Sequence, residues 1–551
     1  MPFLRPAFPP VAESIQFAVY PYSAAQLAEV LSNGEVSTAA TRRKRHFHYF
    51  AEYLGPAPGG GLAAQTIVTE EPYPSQSFLD DYADYYARGF RDYPRRCRRV
   101  HFFRRAFTRA ELLDTLADPT AGGAIWDSYL GYVVVKPLPA RQIGATLLLP
   151  YPATVANRRH YPVGRRYEVN LLGKQLTLHT LIFQEQDNNV SACATTALWM
   201  AFHQTSRLFQ TPLPSPYHIT AAARNLFNHH GRNFPSAGLD QTQIGEAIQS
   251  VGLVAELRTY RQAGEWGLAP GQAEDERLAA QLRGARGFLY AYLRLGLPVL
   301  LFLLLDEDPQ QGHLVTITGY RLSGAAAPPS TELSLLADTM DRLYAHDDQM
   351  GPYARYSFTD DGRLLTPWPA DAGWETAARW RSYRRATLYS LFVPLAAGIR
   401  ITYEQVCRQV ASFELLLADT VGGDAEVDVV WDVYLAFGNA YKDELRRERP
   451  VAGEPLLAIL TASLPKYVWV ARATLGTVPL LELVFDATDL HTGFYCLLTN
   501  VFTALRASLT EALREPTFRR RLRRATGFDA RFLPLLLRDL GLEPARPSRR
   551  P

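Results

Sequence analysis

The sequence predicts an α+β protein of several domains, and three observations lead to that class. At 551 residues the chain is longer than one hydrophobic core ordinarily serves. Its composition, 47% hydrophobic, 12% aromatic and 21% charged, is that of a globular chain rather than a disordered or fibrous one. Helical runs with a three-to-four-residue apolar period and short β-branched runs bounded by Gly and Pro also recur along its whole length. They group into a mixed α/β region (1–180), an informative middle (181–395) and a helix-rich α/β region with a basic tail (396–551).

In the first region, Ala24 to Leu31 reads as a helix and Gln65 to Glu71 as a strand. The segment "SFLDDYADYYARGFRDY" has the spacing of an amphipathic helix, and "YLGYVVVKPLP" and "ATLLLPYP" read as buried strands ending at prolines. "RRYEVNLLGKQLTLHTLIFQ" alternates across a Gly173-Lys174 turn and predicts a β-hairpin. The middle region opens with a helix after Cys193, followed by the helix "DQTQIGEAIQSVG" and the strand "LVAELRTY". "FLYAYLRLGLPVLLFLLL" is the most membrane-like stretch. Arg294 and the Gly296-Leu297-Pro298 break make it a buried helix–turn–strand instead. The β-branched strand "GHLVTITGYRL" follows, then an excursion at about 323–343, and "RLYAHDDQMGPYARYSF" returns the chain to the sheet. In the last region "TYEQVCRQVASFELLLAD" and "VFTALRASLTEALRE" read as helices, and "YVWVARATLG" and "LLELVFDATD" as strands.

The net charge of +3 permits an acidic partner but gives no reason to expect nucleic acid. Cys97, Cys193, Cys407 and Cys496 are far apart with no framework spacing, as expected for free thiols in a reducing compartment. Prolines interrupt "MPFLRPAFPPVAES" where an export signal needs an apolar run, so a cytoplasmic protein without a membrane segment is expected.

The chemistry converges on "QEQDNNVSACATTALWMAF". With Ser191 or Asn189 as the cap, Cys193 falls in the first turn of a helix. There the helix dipole and unpaired backbone N–H groups favour a thiolate, and the same N–H groups stabilise an oxyanion. Gln186, with Gln184 in reserve, supplies a side-chain amide upstream. A thiol nucleophile needs a base, and the base needs an orienting group. His313 opens the strand "GHLVTITGY", and Asp347 in "YAHDDQMGPY" ends the next, with Asp348 as its rival.

Gln186, Cys193, "GLPVLLFL", "GHLVTITGY" and "HDDQMGPY" stand in the order of the papain-like cysteine peptidases, and this middle third resembles them. The likeness is nearest to the bacterial branch that processes bacteriocin leader peptides. It implies a Cys-bearing helix packed on an antiparallel sheet that carries His and Asp, and a catalytic triad of Cys193, His313 and Asp347 with Gln186 in the oxyanion hole. It further implies a peptide or protein substrate and no cofactor or metal. Ala194 stands where the family usually has glycine, and the Gln186–Cys193 gap is one residue longer than the common spacing. The same triad serves acyl transfer, deamidation and transglutamination, and a decayed site serves binding alone.

Other motifs read as structural. His229-His230 lack further ligands at metal spacing, "FDATDLH" reads as a strand-end turn, and "PAPGGGLAA" lacks the strand and GK[ST] of a phosphate loop. "RRKRHFHYF" and "RRRLRR" read as solvated faces, and Cys97, Cys407 and Cys496 as core or surface thiols.

Overall fold

The computed structural model describes residues 15–56, 61–118, 123–187, 189–223, 234, 236, 238–262, 265, 272–306, 308–324, 333–369, 383–413, 416–417, 429–448, 454–490, 493–525 and 528–542. It is a mixed α+β structure, 37% helix and 32% strand, built around a sheet barrel. Among the described residues no helix is long and apolar enough to cross a membrane. Residues 272–293 form a helix and Val299–Leu305 a strand, so the most apolar stretch of the sequence is a buried helix–turn–strand.

Among the described residues three larger antiparallel sheets, and a two-stranded one between the first two, follow one another along the chain. The first has five strands in sequence order: β1 (Gln16–Pro21), β2 (Thr66–Tyr73), β3 (Cys97–Phe103), β4 (Tyr129–Val135) and β5 (Ile143–Leu148). The helix Arg45–Leu54 carries His46, Tyr49, Phe50 and Tyr53 on its buried side. A short strand, β6 (Arg159–His160), and the hairpin β7 (Arg165–Leu171) and β8 (Lys174–Thr180) lead on to the centre. The hairpin turn is Leu172-Gly173, both at positive φ (47° and 88°), and Lys174 already pairs with Leu171. The turn therefore lies one residue earlier than the alternation implied. A two-residue turn with both φ positive matches the twist of the strands it joins.

The central sheet is formed by β9 (Val254–Thr259), β10 (Val299–Leu305), β11 (Asp308–Leu322), β12 (Met340–Asp347), β13 (Gly351–Phe358), β14 (Leu364–Pro369) and β15 (Tyr383–Leu395). Strands β10 to β15 pair in succession, and β15 also pairs with β10, which closes a six-stranded barrel. Strand β9 extends the sheet along β15, and β6 lies against β11. Closure removes free edges and explains why "VLLFLLL" reads as a continuous apolar run: one face lines the barrel while the other is covered. The helix Cys193–Phe209 packs on β11, where the Thr316 hydroxyl donates to the carbonyl of Ala197 at 2.8 Å. β12 begins at Met340, so residues 340–343 belong to a strand and the excursion is shorter than expected. Its described end forms a short helical turn, Leu336–Thr339, and Leu335 bridges to Trp431; residues 325–332 lie outside the described set.

The third sheet is a four-stranded meander, β16 (Val429–Phe437), β17 (Tyr467–Leu475), β18 (Val478–Asp486) and β19 (Cys496–Val501), with helices including Tyr403–Ala411 and Thr503–Arg514 around it. The basic helix Pro516–Arg524 buries Leu522 alone.

Candidate functional site

Cys193 is the first residue of its helix, and Ala192 occupies the cap position without a side-chain cap. Neither Ser191 nor Asn189 caps the helix as the sequence implied. Asp187 takes both into a loop instead. Its Oδ1 accepts the N–H groups of Asn189, Val190 and Ser191 at 3.0, 2.7 and 3.0 Å, and its own N–H donates to the Ser191 carbonyl at 3.0 Å. The Tyr86 hydroxyl donates to Oδ2 at 2.7 Å. The loop is thus folded back on itself, which returns the backbone of Gln186 to the neighbourhood of Ala192 and absorbs the extra residue between Gln186 and Cys193. Gln184, Glu185, Gln186 and Asp187 are all buried, whereas Cys193 is partly exposed. The helix start thus keeps its N–H groups free of side-chain caps beside an accessible sulfur.

His313 and Asp347 arrive on neighbouring strands. Gly312 precedes His313 because the Phe302 ring stands 2.5 Å from where a Cβ would be. On the next hairpin Ala345 pairs with Ala354 and Asp347 with Gly351, so His346 faces two residues, Pro352 and Tyr353. This bulge, with Tyr353 at φ 59°, re-aims the end of β12 toward His313. Gly351 is required because a Cβ there would lie 2.2 Å from the Tyr49 ring, whose hydroxyl donates to the Pro352 carbonyl at 2.5 Å.

His313 Nε2 lies 3.0 Å from Asp347 Oδ1 and is its donor, since an ionised carboxylate only accepts. Asp347 collects three further donors: Gln349 N–H on Oδ1 at 3.0 Å, and Tyr356 Oη–H and Trp368 Nε1–H on Oδ2 at 2.7 and 2.8 Å. The Trp368 ring also covers the imidazole, with centroids 4.7 Å apart. Burial raises the Asp347 carboxyl, but His313 and the hydrogen bonds from Tyr356 and Gln349 outweigh it and hold the group below its ordinary value. Burial lowers His313; the Asp347 charge and hydrogen bond, then Cys193, then Asp348 outweigh it and raise the imidazole well above its ordinary value. The Nδ1 of His313 is buried without a partner in strict hydrogen-bond geometry, so the thiol favours the imidazolium from a loose approach. Such looseness is usual before substrate binds.

Asp348 is fully buried as well, with Oδ1 3.7 Å from His313 Nε2. His313, Asp347 and Asp348 are the His/Cys/Asp/Glu group with ligand spacing among the described residues. The Nε2 of His313 and both Asp347 oxygens are committed to one another and to Tyr356, Trp368 and Gln349, so a cation there would have to displace that network.

The N-terminal region reaches this site, which the sequence did not reveal. "RRKRHFHYF" is not a solvated face: its His46 is buried and donates through Nε2 to the Asp348 carbonyl at 2.9 Å. His46 Nδ1 lies 3.6 Å from Glu185, which also pairs with Arg141 and accepts the Ile143 N–H at 3.0 Å. The Arg45 guanidinium sits 5.8 Å from the centre of the Trp368 ring. The signal was the interleaving of aromatics with the basic residues. Tyr356 and Trp368 left no comparable trace.

Burial raises Cys97 and Cys407 to about 12, and raises Cys496 further. In "FDATDLH" Asp486 Oδ1 accepts from the N–H and the hydroxyl of Thr488, and His491 lies outside the described residues. His229-His230 and residues 57–60 of "PAPGGGLAA" lie outside the described residues. A cleft of about 1110 Å³ beside Tyr73, Arg99 and Tyr132 shares no lining residue with the site. Compared with protein families, with curated proteins and with solved structures, the chain matches none.

Proposed function

We propose that the chain is a papain-like cysteine hydrolase that cleaves a peptide or isopeptide bond in a protein or peptide substrate. The observation that carries the reading is the meeting of a partly exposed Cys193, on an uncapped helix start, with an imidazole whose far nitrogen is clamped by Asp347. A raised His313 beside a thiol at a helix N-terminus favours proton transfer from sulfur to nitrogen.

In this reading the Cys193 thiolate attacks the substrate carbonyl. The developing oxyanion is met by the Cys193 N–H and the Gln186 amide. The tetrahedral species collapses as the C–N bond breaks, the imidazolium of His313 protonates the leaving amine, and a thioester remains. His313 then takes a proton from water, the resulting hydroxide attacks the thioester, and the acid departs as the proton returns to the Cys–His pair. Asp347 keeps the ring in one orientation throughout. The large flanking regions fit a dedicated target better than general digestion.

The test is the pH dependence of iodoacetamide alkylation at each cysteine, read by peptide mass spectrometry in wild type and in His313→Ala. Cys193 is expected to react well below the pH at which Cys97, Cys407 and Cys496 do, and the substitution to remove that advantage. Equal behaviour of all four thiols would reject the reading. With a cleavable target in hand, Cys193→Ala abolishes turnover and leaves the fold intact.

A further inference from the structure

We propose, resting on the Cys–His–Asp reading above, that Asp348 is a second positioning carboxylate: Asp347 fixes the direction of the His313 ring, and the charge on Asp348 sets how firmly the ring keeps its proton.

The geometry is unusual for a structural aspartate. Asp348 has no exposed surface, and neither of its carboxylate oxygens meets another residue in hydrogen-bond geometry; only its own backbone N–H acts on them. A buried carboxylate without partners is costly to ionise, so such groups are normally paired or replaced. Here the donors that would satisfy it, Tyr356 and Trp368, are spent on Asp347 instead. The nearest cation is His313, with Nε2 3.7 Å from Asp348 Oδ1, too long for a hydrogen bond and short enough for a strong charge interaction. The backbone cannot swing the group away, because His46 holds its carbonyl at 2.9 Å.

The charged and titratable groups around Asp348 are known from every side. His313 faces it from β11, Asp347 and Tyr356 from β12 and β13, and Arg141 acts on it from the loop before β5. His46 comes from the N-terminal helix, with Glu185 behind it, and Arg45 lies over Trp368. Burial raises the Asp348 carboxyl to about 7; His313 and Arg141 pull against that rise, and Asp347 adds to it. Protonated, Asp348 leaves the imidazolium balanced by Asp347 alone. Ionised, it adds a second negative charge next to the ring and further from the sulfur, so the one proton that the pair shares sits on His313 rather than on Cys193 and a larger fraction of the sulfur is thiolate.

The experiment is the pH profile of Cys193 alkylation in wild type, Asp348→Asn and Asp347→Asn. Asparagine has the shape of the protonated acid, so Asp348→Asn and wild type should coincide below about pH 6. Between pH 7 and the titration of the ring the variant should be slower by about tenfold, the scale of one added charge at this distance, and beyond that titration, where the sulfur of both is a thiolate, the two should converge. Asp347→Asn should be slower across the whole range, because it loses orientation as well as charge. If Asp348→Asn superimposes on wild type at every pH while His313→Ala still changes the profile, the role assigned to Asp348 is wrong and the peptidase reading stands. If His313→Ala also changes nothing, it is the peptidase reading that fails. Should Asp348→Asn not fold, ¹⁵N-histidine NMR of the wild-type protein asks the same question. A step in the His313 ring shifts near pH 7, below the titration of the ring itself, is expected, and its absence overturns the inference.

Discussion

Asp347 accepts four hydrogen bonds while fully buried, and that number decides what the residue is for. A carboxylate removed from water loses its hydration, and only a complete set of donors makes its charge tolerable there. Trp368 contributes twice, with its N–H on Oδ2 and its ring over His313. Trp368→Phe keeps a ring and removes the donor. Hydrogen bonds to charged groups contribute about 1.5–3 kcal/mol, so urea unfolding should show a loss of that size. Trp126→Phe, at a partly buried indole outside the site, should cost less; equal losses would mean that the indole N–H does not support the carboxylate. Cys193, His313 and Asp347 were legible at this scale because each sits in its own local pattern: Cys193 opens its helix and Asp347 ends its strand, while His313 heads the β-branched run of β11, a strand that itself starts earlier, at Asp308, than the sequence implied. Their supporting donors were not, since Tyr356 and Trp368 sit in ordinary strand sequence: Tyr356 reaches Asp347 across the bulged β12–β13 hairpin, and Trp368 reaches it from β14. His46 lies 302 residues from its partner Asp348, beyond the reach of any local pattern.

At the scale of elements, the sequence was right about the helix start and wrong about what prepares it. A cap was sought within a few residues before Cys193, where Ser and Asn are the usual donors of that service. Asp187 instead uses the N–H groups of residues 189 to 191 to tie a loop, leaving the helix N–H groups after Ala192 without a side-chain cap. The same economy appears at the bulge on β13, where two residues opposite His346 turn Asp347 toward the ring. If the loop presents Cys193, its tie should matter more to reactivity than its surface suggests. Asp187→Ala leaves three N–H groups without their acceptor and should destabilise the protein by about 1–3 kcal/mol. It should also remove the alkylation advantage of Cys193 over the other cysteines. Asp187→Asn keeps an accepting Oδ1 and a group able to pair with Tyr86, and should restore most of both. A variant that loses stability yet keeps a fast-reacting Cys193 would separate the loop from the presentation of the thiol.

Over the whole molecule, composition and periodicity were enough for a mixed α+β chain with strands and helices near the expected places. Barrel closure was not legible, because the pairing of β15 with β10 joins residues almost ninety positions apart and depends on packing rather than on local pattern. The assembled interior carries a set of displaced protonation equilibria that predicts its response to pH. Burial lowers His101 and His346 to about 4 and His203 to about 3, despite the hydrogen bonds that oppose it at His101 and His346. Burial raises Asp81 to about 8, with Asp187 adding to it, and raises Asp348 and Glu256 to about 7. The histidines bind fewer protons folded than unfolded, so their contribution is complete above about pH 6.5 and is lost as the pH falls toward 4. The three acids bind more protons folded than unfolded, so theirs is complete below about pH 4 and is lost as the pH rises toward 7–8. Between about pH 4.5 and 6.5 the two groups oppose each other three against three, and stability should change little. Above pH 6.5 the three lowered histidines no longer oppose the acids, and His313, raised by Asp347, acts in the same direction as the acids. Urea unfolding should therefore show a decline from pH 6.5 to 8 of on the order of 3 kcal/mol from the three acids, about half of it from Asp81, with the share of His313 added to it. Asp81→Asn should make that limb shallower by about half of the acids' share while leaving the acid limb in place, and stability that rises between pH 6.5 and 8 would contradict the assignment of these buried acids as protonated in the folded protein.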